Sequence, residues 1–279
     1  MQAVVTRYEV TTEYPMRDSI RIALISDLHE RRAEDILALL RAEKPDMIAV
    51  TGDTLERYDN RPQYEFERSM LKRALIIVMH RVNAFLRLFE RDRNKAKTEN
   101  AYRFLREAVR IAPVYLSLGN HEQELTESDL RFYRGQGIVL LDNASVRAKV
   151  KGFEMLIGGM SSWDYEEFLS DYVGKKGFKL LLCHHPERFE PFIRDAGVDL
   201  TLSGHTHGGQ IRIGRKGRGL FVPGQGFFGR LARGQFFSGR LIISAGCSNT
   251  AAIPRLFNPR ELVIVTLKNS DKGKQNGKL

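Results

Sequence analysis

Only two cysteines, Cys183 and Cys247, occur in the 279 residues. They are too few for a disulfide framework, so a reducing compartment is expected. Long apolar runs are missing too. The longest obvious one, Ala74 to Met79, falls far short of the ~18 residues that a membrane-crossing helix needs. The N-terminus, Met1 to Tyr14, lacks the basic-then-apolar order of a secretory leader. No G-x-x-x-x-G-K-S/T run is present, which argues against an ATPase phosphate loop. There is no internal repeat. From Ile211 to Arg240 there is no acidic residue at all.

What remains is the composition of a globular protein, with 42% hydrophobic and 28% charged residues. The length fits one or two domains and is enough to bury a large core. Lys and Arg number 44 against 34 Asp and Glu, a formal net charge of +10. A basic balance points to nucleic acid, anionic lipid or an acidic substrate without choosing among them. Its distribution says more. Glu65 to Lys97 carries nine cations and four acids, and Ile211 to Arg240 carries seven cations. These segments contribute +5 and +7, which leaves the rest of the chain at −2.

Ser19 to Ser26 is a short apolar run rich in β-branched residues and reads as a buried strand. Ala33 to Ala42 reads as a helix that Pro45 stops, and Asp46 to Thr51 as a second buried strand. Strand, helix and strand in that order imply a parallel pair with a crossover. Val114 to Leu118 is a third such strand. After residue 137 short strand candidates dominate: Ile138–Leu141, Val146–Val150, Met155–Ile157, Leu180–Cys183, Leu200–Leu202, Ile211–Ile213, Leu241–Ser244 and Leu262–Leu267. The reading is an α/β first half and a β-richer second half in one domain. One segment interrupts the pattern. Tyr64 to Arg91 spaces Met70, Leu71, Ala74, Leu75, Val78, Val82, Phe85, Leu86 and Phe89 along one helical face. A second amphipathic helix is expected over Thr98 to Ile111, and the tail Lys268 to Leu279 is polar.

The histidines carry the chemistry. Strand one ends in Asp27-Leu28-His29, which can aim a carboxylate oxygen and an imidazole nitrogen at one cation. Strand two ends in Gly52-Asp53, and a carboxylate has two oxygens with which to bridge two metals. Strand three ends in Gly119-Asn120-His121. Cys183-His184-His185-Pro186 follows another strand, and Gly204-His205-Thr206-His207-Gly208-Gly209-Gln210 follows the next. Mixed nitrogen and oxygen ligands suit Mn, Fe or Zn rather than Ca. Cys183 precedes the ligand face by one residue, so strand alternation points it into the core.

This ordered set resembles the calcineurin-like metallophosphoesterase superfamily. Thr51-Gly52-Asp53, Cys183 to Pro186, Gly204 to Gln210 and Ala252 to Glu261 are similar to its YkuE/YaeI-like branch. The resemblance covers about residues 8 to 267, apart from the segment near 57 to 100. It implies an α/β fold: a four-layer αββα sandwich of two mixed β-sheets with flanking helices. The domain would run over 1–267, with a helical insertion or cap at about 57–100 and a polar tail at 268–279. It further implies that Asp27, His29, Asp53 and His207 hold one metal. Asp53, Asn120, His184 and His205 would hold the other, with Asp53 bridging. His121 would face the substrate as a proton donor or a phosphoryl clamp, so His121 and Asp53 are the expected catalytic residues. His185 falls outside the carried-over ligand set. Glu56 stands where the family often has Asp, which leaves any supporting role there open.

The implied enzyme is a metal-dependent phosphoesterase, a hydrolase with two divalent ions, Mn first and Fe or Zn as alternatives. Such a pair activates water without a Ser or Cys nucleophile. The branch resembles UDP-2,3-diacylglucosamine pyrophosphatase-type enzymes, so the expected substrate is a phosphodiester or pyrophosphate in a lipid-linked or nucleotide-lipid molecule. The basic segments are mixed with large apolar residues, including Phe227, Phe228, Phe236 and Phe237. Peripheral membrane contact through 64–97 and 227–237 is expected on that basis, with a cytoplasmic location against the inner membrane. A nuclease or nucleotide phosphodiesterase is the alternative, with the basic segments tracking nucleic acid. A non-catalytic scaffold is a third reading, opposed by the cost of burying so many His and Asp without metal.

Overall fold

The computed structural model describes residues 2–57, 97–213, 218–248 and 255–270. The expected helix over 64–91, and with it most of the insertion, lies outside them. Four α-helices are present among the described residues: Glu34–Glu43 (α1), Thr98–Ala108 (α2), Glu127–Gln136 (α3) and Glu166–Gly174 (α4). The first nine strands are Val4–Thr12 (β1), Ile20–Ile25 (β2), Met47–Thr51 (β3), Val114–Ser117 (β4), Val139–Leu141 (β5), Ala144–Val150 (β6), Phe153–Met160 (β7), Phe178–Cys183 (β8) and Leu200–Ser203 (β9). Four two-residue strands follow: Arg212–Ile213 (β10), Arg218–Gly219 (β11), Phe221–Val222 (β12) and Gly226–Phe227 (β13). Gly234–Phe236 (β14), Leu241–Ile243 (β15) and Glu261–Asn269 (β16) complete the set.

Two six-stranded sheets result, one ordered β1-β16-β2-β3-β4-β5 and the other β14-β15-β9-β8-β7-β6. Both are mixed. In the first, β2 to β5 are parallel and β16 runs against β2. In the second, β7, β8, β9 and β15 are parallel, with antiparallel β6 and β14 at the edges.

Strand alternation sorts the apolar residues into three cores. From β2, Ala23 and Ile25 face Ile36, Leu40 and Leu105 of the helices, while Ile22 and Leu24 face the other sheet. From β8, Leu180 and Leu182 meet them, while Leu181 and Cys183 turn to Tyr172 and Phe189 on the far side. Helix, sheet, sheet and helix therefore stack as the sequence resemblance implies. Each fully buried Leu or Ile contributes about 1.5–3 kcal/mol through water released from its surface. Cys183 packs in the outer core as alternation requires, and burial pushes its thiol up to about 12. β1 does not stand out in the sequence, because only Val10 and Thr12 of this edge strand are buried. α3 and α4 do not stand out either. α3 starts at a Thr126–Asp129 capping box rather than at an apolar stripe. Among the described residues no helix is long and apolar enough to cross a membrane.

Candidate metal centre

The parallel strands β2, β3 and β4 deliver their C-terminal ends to one edge of the first sheet, and β8 and β9 do so in the second. Every residue read from the sequence as a ligand sits just past one of these ends. The chain turns there through left-handed backbone. Asp27, His29, Asp53, His205 and His207 have φ of 56°, 49°, 55°, 69° and 48°. Such conformations cost energy for residues with a Cβ, and they cluster at working sites. Gly52 (φ 87°) takes part because the backbone of Gly119 lies where its Cβ would go. That close approach brings the β3 and β4 ends together.

Among the described residues four groups of ligand atoms lie within 4.8 Å, and two of them hold the ligands read from sequence: Asp27 with His29 and His207, and Asp53 with His184 and His205. Asp53 stands between them. Its Oδ2 is 3.1 Å from His184 Nε2 and 3.5 Å from His29 Nε2. Asp27 Oδ1 is 3.5 Å from His207 Nε2 and 3.8 Å from His29 Nε2. Asp27, His29, Asp53, His184 and His205 are all buried.

The electrostatics ask for cations here. Burial opposes charge on Asp27 and Asp53. The rings of His207 and His29 beside the first, and of His184 and His121 beside the second, hold both carboxyls well below their ordinary range. Burial works equally against charge on His29 and His184, yet the carboxylates around them push these rings up to about 10 and about 9. The donor atoms also fit metal ions. His29 Nε2, His184 Nε2 and Asn120 Oδ1 are buried without a hydrogen-bond partner, which is costly unless something else satisfies them. His184 Nδ1 is taken by the Thr51 carbonyl at 2.6 Å, which turns Nε2 inward.

The surrounding groups hold this set. The β3 loop and the β4 loop run side by side, bridged at Arg57 and Glu122. Glu56 thereby reaches both His29 Nδ1 and His121 Nδ1, each at 2.8 Å. Those ring nitrogens are satisfied, so His29, Glu56 and His121 form a hydrogen-bonded triad rather than a third metal site. The same argument removes His185, whose two nitrogens meet Glu187 at 3.1 Å and Ser162 at 2.9 Å. His121 itself is a quarter exposed at the rim, its Nε2 3.9 Å from Asp53 Oδ2.

Three supports were not read from sequence. Glu122 is buried, and its carboxylate accepts from the amides of Asp53, Thr54, Leu55 and Gly119. Burial, then the charge of Asp53, pushes its carboxyl up against the pull of those amides. Arg255, also buried, donates to the carbonyls of Ala245 and Ser248. Ser248 Oγ in turn donates to the Asp27 carbonyl at 2.8 Å. Asn258 donates to the His207 carbonyl at 2.7 Å and the Gln210 carbonyl at 3.3 Å, filling the space that Gly208 leaves. Only the pattern GNHE, seen as Gly119 to Glu122, hints at the first of them. The others act across distances no local motif spans.

The calcineurin-like phosphoesterase family profile matches residues 20–209, more than half of the sequence. The chain belongs to the calcineurin-like phosphoesterase family. As such it has the fold of a metal-dependent hydrolase and the two ligand groups that a dinuclear centre requires. Among its relatives, YpbG of Bacillus subtilis is 28% identical, over 71% of this phosphoesterase and 65% of YpbG. YkuE of the same organism is 27% identical, over 94% of this chain and 86% of its own. The phosphodiesterase YaeI of Escherichia coli is 26% identical, over 69% and 62%. The phosphoesterase thus spans less than two thirds of YpbG and YaeI.

Asn258 gives a prediction at this point. Asn258→Ala leaves the His207 and Gln210 carbonyls unmet and frees the loop that carries His207. Affinity for one of two bound ions is expected to fall about 10–100-fold, as for other groups that orient ligands. The second ion stays. Stepwise metal titration of dialysed protein measures this, and equal loss of both ions would show that Asn258 supports the whole fold instead.

Proposed function

We propose that this chain hydrolyses a phosphodiester or pyrophosphate bond at two divalent metal ions, in a lipid-linked or nucleotide-lipid substrate presented at a membrane surface. The observation that carries the reaction class is Asp53 Oδ2 standing between the His29 and His184 nitrogens, with His121 at the rim. Asp27, His29, Asp53 and His207 would hold one ion, and Asp53, Asn120, His184 and His205 the other. Mn is the first choice. When bound, such a pair supplies Lewis-acid charge and a water activated near neutral pH.

The chain's own residues do the rest. Glu56 accepts from His121 Nδ1–H, which fixes the ring and leaves Nε2 toward the reacting phosphoryl group. With the ring doubly protonated beside the Glu56 carboxylate, His121 Nε2–H donates its proton to the departing oxygen or clamps a phosphoryl oxygen. Glu122 holds the Asp53 amide, and Asn258 holds the His207 carbonyl, so the ligands are in place before substrate arrives. The likeness to the phosphodiesterase YaeI supports diester chemistry. The motif likeness to the YkuE/YaeI-like branch and the two basic, apolar-rich segments support a lipid-linked substrate.

A panel with Mn present tests the proposal: UDP-diacylglucosamine, a soluble aryl diester, a cyclic nucleotide and single-stranded DNA. The lipid diphosphate is expected to be turned over best. Best turnover of DNA, falling steeply with salt, would identify a nuclease instead. Chelation is expected to stop all turnover and lower the unfolding midpoint. A ligand at a hundredfold its Kd stabilises by about 2.7 kcal/mol, and Mn should restore both properties. Protein that holds no transition metal after purification in Mn would leave only the scaffold reading.

A further inference from the structure

The loop that carries His205 and His207 leads directly into an apron of two small two-stranded sheets. β10 pairs with β11 so that Arg212 lies opposite Gly219, and β12 pairs with β13 so that Phe221 lies opposite Phe227. One residue outward, the same registers put Ile211 opposite Leu220 and Leu220 opposite Phe228. The backbone agrees. The Leu220 amide donates to the Ile211 carbonyl at 2.7 Å, and the Phe228 amide to the Leu220 carbonyl at 3.1 Å. On the other side Ile211 bridges to Leu256. Leu256, Ile211, Leu220 and Phe228 are therefore cross-strand neighbours in one row, about 14 Å long at ordinary strand spacing.

None of this row is buried. Leu256 is 46% exposed, Phe228 52% and the adjoining Phe257 83%. Ile211 and Leu220 are half-buried. Only six large hydrophobic residues are exposed among the described ones, and three stand here. Scattered exposed apolar residues need no explanation, but a contiguous row does. Phe228 and Phe257 add a second cost, since each holds left-handed backbone, at φ 58° and 54°. A bulky residue is disfavoured there. The sequence around the row carries charge of one sign, with Arg233 taken by Glu261 at 2.6 Å. Ile211 to Arg240 has seven cations and no acid, and Arg230, two residues after Phe228, is exposed.

We propose that the row Leu256, Ile211, Leu220 and Phe228, with Phe257, seats the enzyme on an anionic lipid bilayer. This deepens the membrane-surface reading above and rests on it. Cations meet anionic headgroups while the apolar row enters the boundary below them. Three of the five residues are aliphatic and offer no face for a base to stack on, which disfavours single-stranded nucleic acid. The seat begins one residue after Gln210, so docking would hold the metal-binding loop against the surface that carries the substrate. Of the expected contact segment 227–237, only Phe228 joins the row. Phe227 packs on Phe221 and Phe237 stacks on Phe189.

The test uses the full chain and a Phe228→Asn, Phe257→Asn double variant. Asn accepts left-handed backbone more readily than Phe, so the variant keeps its fold and its unfolding midpoint. Wild type is expected to sediment with phosphatidylglycerol-containing vesicles and far less with phosphatidylcholine alone. The variant is expected to bind the anionic vesicles about tenfold more weakly or worse, with unchanged turnover of a soluble aryl diester in Mn. Equal vesicle binding by the two proteins overturns the proposal, as does no binding by wild type. A dimer in lipid-free solution that the variant abolishes would assign the row to a second copy instead. DNA binding lost in the variant would assign it to nucleic acid. Failure of wild type in Mn to cleave any member of the substrate panel would sink the phosphoesterase reading, while vesicle binding would still decide the seat.

Discussion

Asp53→Asn is expected to abolish hydrolysis and to weaken both metal sites together. The substitution preserves shape, and an amide oxygen can still accept from the His121 amide as Oδ1 does at 2.9 Å. What is lost is negative charge at the atom lying 3.1 Å from His184 and 3.5 Å from His29. An amide cannot bridge two cations as a carboxylate does, so neither half of the centre keeps its full donor set. Metal-ion catalysis is worth several kcal/mol of transition-state stabilisation, and each 1.36 kcal/mol is tenfold in rate. A fall of at least ~1,000-fold in kcat/KM follows. Elemental analysis after dialysis should show less than one ion retained where wild type keeps two. Retention of both ions with more than about a tenth of the rate would remove Asp53 from the bridging position.

His121→Ala separates binding from chemistry. Its Nδ1 is held by Glu56 and its ring stands at the rim, a quarter exposed. Both ions are therefore expected to remain. The rate should fall by about 10²–10⁴, the usual worth of a positioned proton donor. A leaving group that departs readily as an anion needs less help, so the defect should shrink for a nitrophenyl diester and grow for an alkyl one. A uniform defect across leaving groups would make His121 a clamp on the phosphoryl oxygens. Loss of metal would make it a ligand. Glu56→Gln should copy part of the rate defect, but it also loosens His29, so some metal affinity goes with it.

The candidate ligands were legible by place, because each sits where a buried strand ends, and buried strands announce themselves as short apolar runs. Asp27 and Asp53 stand at such ends, but the choice of His184 over His185 came from the family resemblance. Glu56 was visible in sequence but not interpretable. Its role depends on the β3 and β4 loops lying side by side, which Gly52 permits and no periodicity reports. Arg255 and Asn258 were hidden for another reason. They brace Asp27 and His207 from a segment tens to hundreds of residues away, and a hydrogen bond to a backbone carbonyl leaves no pattern in the partner's sequence. Of the apron only Ile211–Ile213 was read as a strand, because its strands are two residues long, too short for alternation to show. Its row exists only as the registers of two hairpins and one isolated bridge.

The left-handed turns at Asp27, His29, Asp53, His205 and His207 set a limit on improving this protein. Glycine at any of them would relax the backbone, the same substitution that removes a ligand. Selection for heat resistance in the absence of metal would thus push the chain toward a firmer fold with an emptied centre. Thermostable variants that keep activity should accumulate their changes in the three cores and leave these five positions strained.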